Sequence, residues 1–323
     1  MVFKMGNPGC ACCDTQECPC ACYGLNNNAD DDAGSNNLTG VDTPAFDAST
    51  KILGTHSAKF DSSGYFEKSH ANCFSPSANS GGWAMWFWIK SLADSTGGYI
   101  GSSGDQIEWY PGVITKGHFT YRRNYSSFAC DTNNWDYRGG EGKGEWMIFM
   151  AGTEIQFWVH TKNGTGAYIG PCGYDLSNYI AVGAQDMPAT SEWHFFYWYI
   201  KGDDSWLFAY NESGFIDRFH ENLKTIAGTS INAGGINANG NEPLHIGVHK
   251  AQSNSYGTIS NGPEQRLGDA TNGGKFRIDT IGFCTDPGDF GDTSDPTPFP
   301  IVRPTLADNL WNSGSGRECP YGG

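Results

Sequence analysis

The chain breaks again and again into short bursts of aromatic and β-branched residues divided by Gly, Asn, Asp and Ser. The bursts are WAMWFWIK (83–90), WMIFMAG (146–152), EIQFWVH (154–160), WHFFYWYIK (193–201), SWLFAYN (205–211), PLHIGVH (243–249) and FRIDTIGF (276–283). Bursts of this length and composition predict strands, and the intervening residues predict turns. No long 3.6-residue periodicity competes with them, and only RPTLADNLWNSG (303–314) reads as a short helical turn ending at a glycine. No fixed-period repeat is present. No segment reaches the ~18 apolar residues of a membrane span. With 44 glycines and 17% charged residues, the chain is expected to be all-β. At 323 residues, one large β-sandwich with extensions fits as well as two domains.

Two bursts carry apolar residues on both faces. In WAMWFWIK, Trp83, Met85, Phe87 and Ile89 share one face, and Trp86 and Trp88 the other. In WHFFYWYIK, Phe196, Trp198 and Ile200 oppose Phe195, Tyr197 and Tyr199. A half-solvated antiparallel strand would alternate apolar and polar, so both faces are expected to be covered. The cover is either long loops of the same domain, or a subunit interface or sugar-stacking platform.

Twenty basic residues stand against 35 acidic ones, a net charge of −15. Phosphate contacts need clustered Lys and Arg, and Arg122-Arg123 is the one short basic cluster. A nucleic-acid partner is therefore not expected.

Three zones follow. Residues 1–24 are a cysteine-rich head. Residues 25–50 are polar and turn-rich, a linker or docking arm lying on the surface. Residues 51–323 form the β-domain. Cys10, Cys12, Cys13, Cys18, Cys20 and Cys22 crowd the head, and Cys73, Cys130, Cys172, Cys284 and Cys319 follow. Eleven cysteines fit an oxidising exterior, and the odd number implies a free thiol or a bond between chains. The opening MVFKMGNPGC has no apolar h-region, so no signal peptide is recognisable. An extracellular, cell-surface or virion-surface location is still expected, reached by lysis or by a route without a cleaved leader. The C-x-C steps suit one tetrahedral zinc poorly. Disulfides are the favoured reading of the head, with multi-metal thiolate binding as the alternative.

The ordered set of bursts resembles laminin-G/concanavalin A-like domains over residues 51–318. GTHSAKFDSSGYFEKS (54–69) is similar to their opening, and GGWAMWFWIKS (81–91) to the strand that follows. SEWHFFYWYIKGDDSWLFAYNESG (191–214) resembles their W-H hairpin, with Asn211 where the turn asparagine falls. PLHIG (243–247), GKFRIDTIGFCTDP (274–287) and LADNLWNSGSGR (306–317) match later strands and the closing turn. The resemblance implies a two-sheet antiparallel sandwich of jelly-roll type. The cysteine head, the long 100–145 segment and the Asp/Pro-rich 285–305 segment depart from it.

This fold hosts glycanases, lectins and structural modules, so residues must decide function. Retaining glycosidases need two carboxylates about 5–5.5 Å apart, carried on related glucanases by an E-x-D-x-x-E strand. Asp105 with Glu108, or Asp279 alone, do not match it, and Asp279 aligns with a structural aspartate of the family. No nucleophile-elbow signal accompanies the eight histidines, and His194 and His245 are expected as packing residues. Asp30, Asp31 and Asp32 could offer oxygens to calcium, although their spacing is not that of an EF-hand loop and a solvated turn is the plainer reading. Trp109, Tyr110, Trp135 and Tyr137, in the long segment, are candidates for stacking on sugars. Asn37, Asn124, Asn163 and Asn211 lie in glycosylation sequons, most of them expected by chance in an Asn- and Ser-rich chain.

The leading expectation is a non-catalytic structural subunit of an extracellular fibre or virion-surface assembly. It would self-associate through the head and arm, with a glycan-binding face as a possible addition. A lectin-like adhesion module is the alternative, and a glycoside hydrolase the second.

Overall fold

The computed structural model describes residues 19–62, 64–79, 81–94, 98–100, 107–109, 111–117, 145–160, 179–187, 192–202, 204–222, 242–250, 265–268, 274–285, 287 and 310–314. Its first strands are β1 (Ala21–Tyr23), β2 (Thr39–Val41), β3 (Ala45–Asp47), β4 (Ser57–Phe60), β5 (Tyr65–Lys68) and β6 (Trp83–Ala93). Then come β7 (Gly98–Ile100), β8 (Ile107–Trp109), β9 (Gly112–Lys116), β10 (Trp146–Ala151), β11 (Glu154–His160) and β12 (Tyr179–Asp186). The remainder are β13 (His194–Lys201), β14 (Asp204–Asn211), β15 (Gly214–Asn222), β16 (Leu244–Ile246), β17 (Val248–His249), β18 (Gln265–Arg266) and β19 (Lys275–Thr285).

Two sheets form a sandwich. The first runs β15-β14-β13-β6-β19-β4-β3, with β1 also on β19; the second runs β12-β11-β10-β9-β16-β5-β2, with β17 and β18 beside it. The strands along both paths pair antiparallel. The all-β sandwich expected from the bursts is therefore the fold.

Period-two alternation places the core. Trp83, Met85, Phe87 and Ile89 of β6 and Phe196, Trp198 and Ile200 of β13 face the second sheet. There they meet Trp146, Ile148, Phe157 and Ile246. Three indoles form its centre: Trp83–Trp146, Trp83–Trp198 and Trp146–Trp198 centroids lie 5.5, 5.6 and 5.8 Å apart. Each fully buried Trp removes roughly 200 Å² from water, on the order of 5 kcal/mol of transfer free energy. Their polar N–H groups are satisfied: Trp83 donates to the Cys73 carbonyl, Trp146 to that of Phe74 and Trp198 to the Ser205 hydroxyl.

The opposite face of the first sheet is buried as well. Trp86, Trp88, Phe195, Tyr197, Tyr199, Phe208 and Tyr210 form a second apolar cluster, with Ile52, Leu53, Leu310 and Trp311 packed against it. Of the expected covers, segments of the same chain are the ones seen. Asp279 holds one of them, its Oδ2 accepting the N–H groups of Ile52 and Leu53 at 3.0 and 3.1 Å. A bulge between Asp279 and Gly282 shifts the register of β19 against β6, and Thr280 sits in the left-handed region at φ 44°. Gly282 then lies under Trp86, where a Cβ would come within 2.0 Å of the indole.

The segment expected as a head and a surface arm enters the sandwich from residue 19 onward. β1 pairs with β19 from Ala21↔Phe283 to Tyr23↔Ile281, while β2 and β3 form the last strands of the two sheet paths. Ala21, Cys22, Tyr23 and Leu25 are fully buried. The physical reason is the edge of β19: β4 pairs only with its residues 276–278, and β1 supplies partners for the backbone groups beyond them. Polar composition alone did not reveal these pairings.

Candidate functional site

Several of the expected site residues fall among the described residues. Asp31 is buried, and its Oδ1 accepts the N–H groups of Cys22 and Ala33 while Oδ2 accepts that of Asn36. Asp32 accepts the Gly24 N–H, and Asp30 the Asn37 side-chain amide. These carboxylates are therefore turned to amides of their own loop. No group of three or more His, Cys, Asp or Glu suited to a metal occurs among the described residues. The acidic triplet thus folds its own loop and seats β1.

Asn37 is exposed, with both amide atoms engaged: its Oδ1 accepts the Asp31 N–H and its Nδ2 donates to Asp30. Asn211 is a turn residue, its Oδ1 accepting the N–H groups of Ser213 and Gly214 ahead of β15. Asn124 and Asn163 lie outside the described residues, as do Tyr110, Trp135 and Tyr137. Trp109 is described only as the end of β8, where it pairs with Gly98. Asp105 is likewise outside, and Glu108 is placed only by its pairing with Tyr99.

Among the cysteines, Cys20 bonds to Cys73 within the chain, and Cys22 is also disulfide-bonded. Cys284 is buried. Cys10, Cys12, Cys13, Cys18, Cys130, Cys172 and Cys319 lie outside the described residues. The Cys20–Cys73 link fixes the entry to β1 onto the 3-10 turn Asn72–Phe74, whose carbonyls already receive two core indoles.

One cluster has the residue types of a nucleophilic centre. The Lys116 ammonium lies 3.1 Å from His70 Nδ1 and 3.6 Å from Glu145, and also bonds the Glu242 carbonyl. Ser75 donates to Glu145 at 2.8 Å. Burial pulls the Lys116 pKa down, and burial with the nearby ammonium lowers that of His70. The side chains of Lys116 and Glu145 are 0% and 1% exposed, so no substrate reaches them. The cluster anchors the 70–75 loop to the ends of β9 and β10. His194 and His245 are buried packing residues, His194 stacking on Phe196 at 6.5 Å.

A row of polar and aromatic side chains lies on the outer face of β11. Ile155, Phe157 and Val159 point into the core, which turns Glu154, Gln156 and Trp158 outward. All three are half-buried. The Trp158 indole N–H donates to Gln156 Oε1 at 3.0 Å, and Gln156 Nε2 donates to Glu154 Oε1. The Phe149 ring of β10 supports the indole at 5.7 Å. On β12 the residue opposite Gln156 is the small Ala184, and Asp186 stands opposite Glu154. Each outward side chain is thus held by its neighbour two residues away on a strand fixed on both sides, and such positions keep a site in place better than loops do. The row presents an aromatic ring, an amide and a carboxylate in a line.

The sequence predicts EIQFWVH as a strand and offers stacking candidates in the 100–145 segment, and the outward row on β11 is a different set of residues. Period-two alternation with a tryptophan on the polar face was the signal that marks it.

No family model matches the chain, and no curated protein matches it. Several solved structures are similar to it at low sequence identity. A botulinum neurotoxin serotype D binding domain gives a TM-score of 0.45 at 11% identity, over 84% of this chain and 48% of that one. A botulinum neurotoxin DC binding domain in complex with SialylT gives 0.44 at 8% identity, over 83% and 48%. A botulinum neurotoxin type G receptor binding domain gives 0.42 at 8%, over 83% and 48%. The chain spans about half the length of these structures, and the reading of its function rests on its own side chains.

Proposed function

We propose that this protein is a non-catalytic, glycan-binding β-sandwich module of the laminin-G/concanavalin A kind, working outside the cell or on a surface. The observation that carries the reading is the Trp158–Gln156–Glu154 row. An indole offers a flat apolar face to the C–H side of a pyranose, while an amide and a carboxylate offer the donors and acceptors that fix hydroxyls. The hydrogen bonds along the row hold the side chains before ligand arrives, which lowers the entropy cost of binding. The disulfides at Cys20 and Cys22 support an oxidising location. The aromatic outer face of the first sheet, one ground for expecting a fibre subunit, is covered by the chain itself and so lends nothing to a subunit interface.

The test is a glycan array probed with the wild-type chain and with Trp158→Ala, followed by calorimetry on the best binder. Trp158→Ala is expected to lose at least tenfold in affinity while its thermal unfolding stays within a few degrees of wild type. Recovered oligosaccharide is expected intact. Undiminished binding by the variant would remove the row from the site, and shortened products would replace binding with hydrolysis.

A further inference from the structure

Glu154 and Asp186 are directly opposed on neighbouring strands. Like charges in that relation destabilise a sheet. Among the described residues no lysine or arginine forms an ion pair with either. Several other described carboxylates are answered. Arg277 bonds Asp47 and Asp61, Lys250 bonds Glu67, and Arg266 bonds Asp42, while Asp31 and Asp32 take backbone N–H groups. Among the described residues Glu154 instead accepts the neutral amide of Gln156, at the end of the β11 row. A net charge of −15 adds a field of the same sign over the whole surface.

We infer that this face selects its ligand by charge: it takes uncharged or amine-bearing sugars and rejects those capped with carboxylate or sulfate. The inference rests on the glycan-binding reading above. Strand rise puts Glu154 about 13 Å along β11 from Trp158, so a sugar stacked on the indole extends its next units toward the two carboxylates. An acid group brought within about 6 Å of both meets a repulsion worth about tenfold in affinity at low ionic strength. An ammonium there gains by a similar factor. Salt at 0.15 M, with a screening length of about 8 Å, shrinks both effects.

The experiment is a printed array in which neutral glycans stand beside their sialylated, sulfated and free-amine counterparts. It is probed at low and at 0.15 M salt with wild type and with the Asp186→Asn variant, which leaves the Trp158–Gln156–Glu154 row unchanged. Wild type is expected on neutral and amine-bearing members, with acid-capped counterparts weaker by about tenfold at low salt. The variant is expected to keep neutral binders and to narrow that gap to about threefold. Equal or stronger wild-type binding to acid-capped members would overturn the charge inference and leave glycan binding standing. Binding to no member would overturn the glycan reading itself, and this inference with it.

Discussion

Replacing both Cys20 and Cys73 by serine would remove a covalent link spanning 53 residues. In the chain-entropy account, closing a loop of that length lowers the entropy of the unfolded chain by about 14 cal/mol/K, or about 4 kcal/mol at 25 °C. That is a ceiling, because Cys22 remains disulfide-bonded and keeps part of the unfolded chain constrained. For a chain of 323 residues the unfolding entropy is about 0.7 kcal/mol/K, so the melting temperature should fall by up to about 6 °C. The loss should also have an address. β1 has three paired residues and enters the fold immediately after Cys20. Without the link its amides should exchange faster than those of β6 or β13, through a local opening that spares the core. Calorimetry gives the shift and hydrogen exchange gives the location. A melting temperature within 1 °C of wild type, with Ala21–Tyr23 amides as protected as before, would refute the argument. It would mean that the buried Tyr23 and the Asp31 hydrogen bonds hold the strand unaided.

Two further perturbations test buried charge. Asp279, fully buried, has its pKa pushed up to about 7 by desolvation, against the pull of the Ile52 and Leu53 amides. Its folded pKa lies above its unfolded one, so its contribution is fully present below about pH 4 and is lost as pH rises toward 7, by up to about 4 kcal/mol. Asp279→Asn, whose oxygen can still accept both amides, should flatten that part of a stability–pH profile measured by urea unfolding; an unchanged slope would assign it to other groups. Lys116→Met should cost about 3 kcal/mol, since it strips the ammonium from beside buried Glu145. Adding Glu145→Leu should recover much of that loss in a double-mutant cycle, and strict additivity would show that the pair is not coupled.

Much of the fold could be read from β6 and β13. Both were expected to bury two faces, and the residues assigned to each face separate into the two apolar clusters as the alternation requires. Which elements lay over the second face could not be read. That depends on Asp279 holding Ile52 and Leu53 from more than two hundred residues away, and no local pattern encodes such a distance. The polar segment before residue 51 was misjudged for a related reason. Its carboxylates looked solvated, but they bind backbone amides and let three short strands enter the sheets.

The two outer faces of the sandwich are built on opposite principles, and the difference is the ground for placing the proposed site on β11. On the first sheet, large rings alternate with large rings, so solvent exposure would be costly over many residues and the chain lays its own segments across them. Nothing further can bind there without displacing them. On β11 the outward positions alternate with a core trio but are themselves amphipathic, and each is tied to the next by a hydrogen bond. A ring held that way can stay half-exposed at modest cost, because its N–H is satisfied and its edge rests on Phe149. Stability therefore does not require covering Trp158, and the opposed carboxylates beside it work against stability rather than for it. The proposed reading accounts for half-buried residues set on a rigid strand at a cost to the fold.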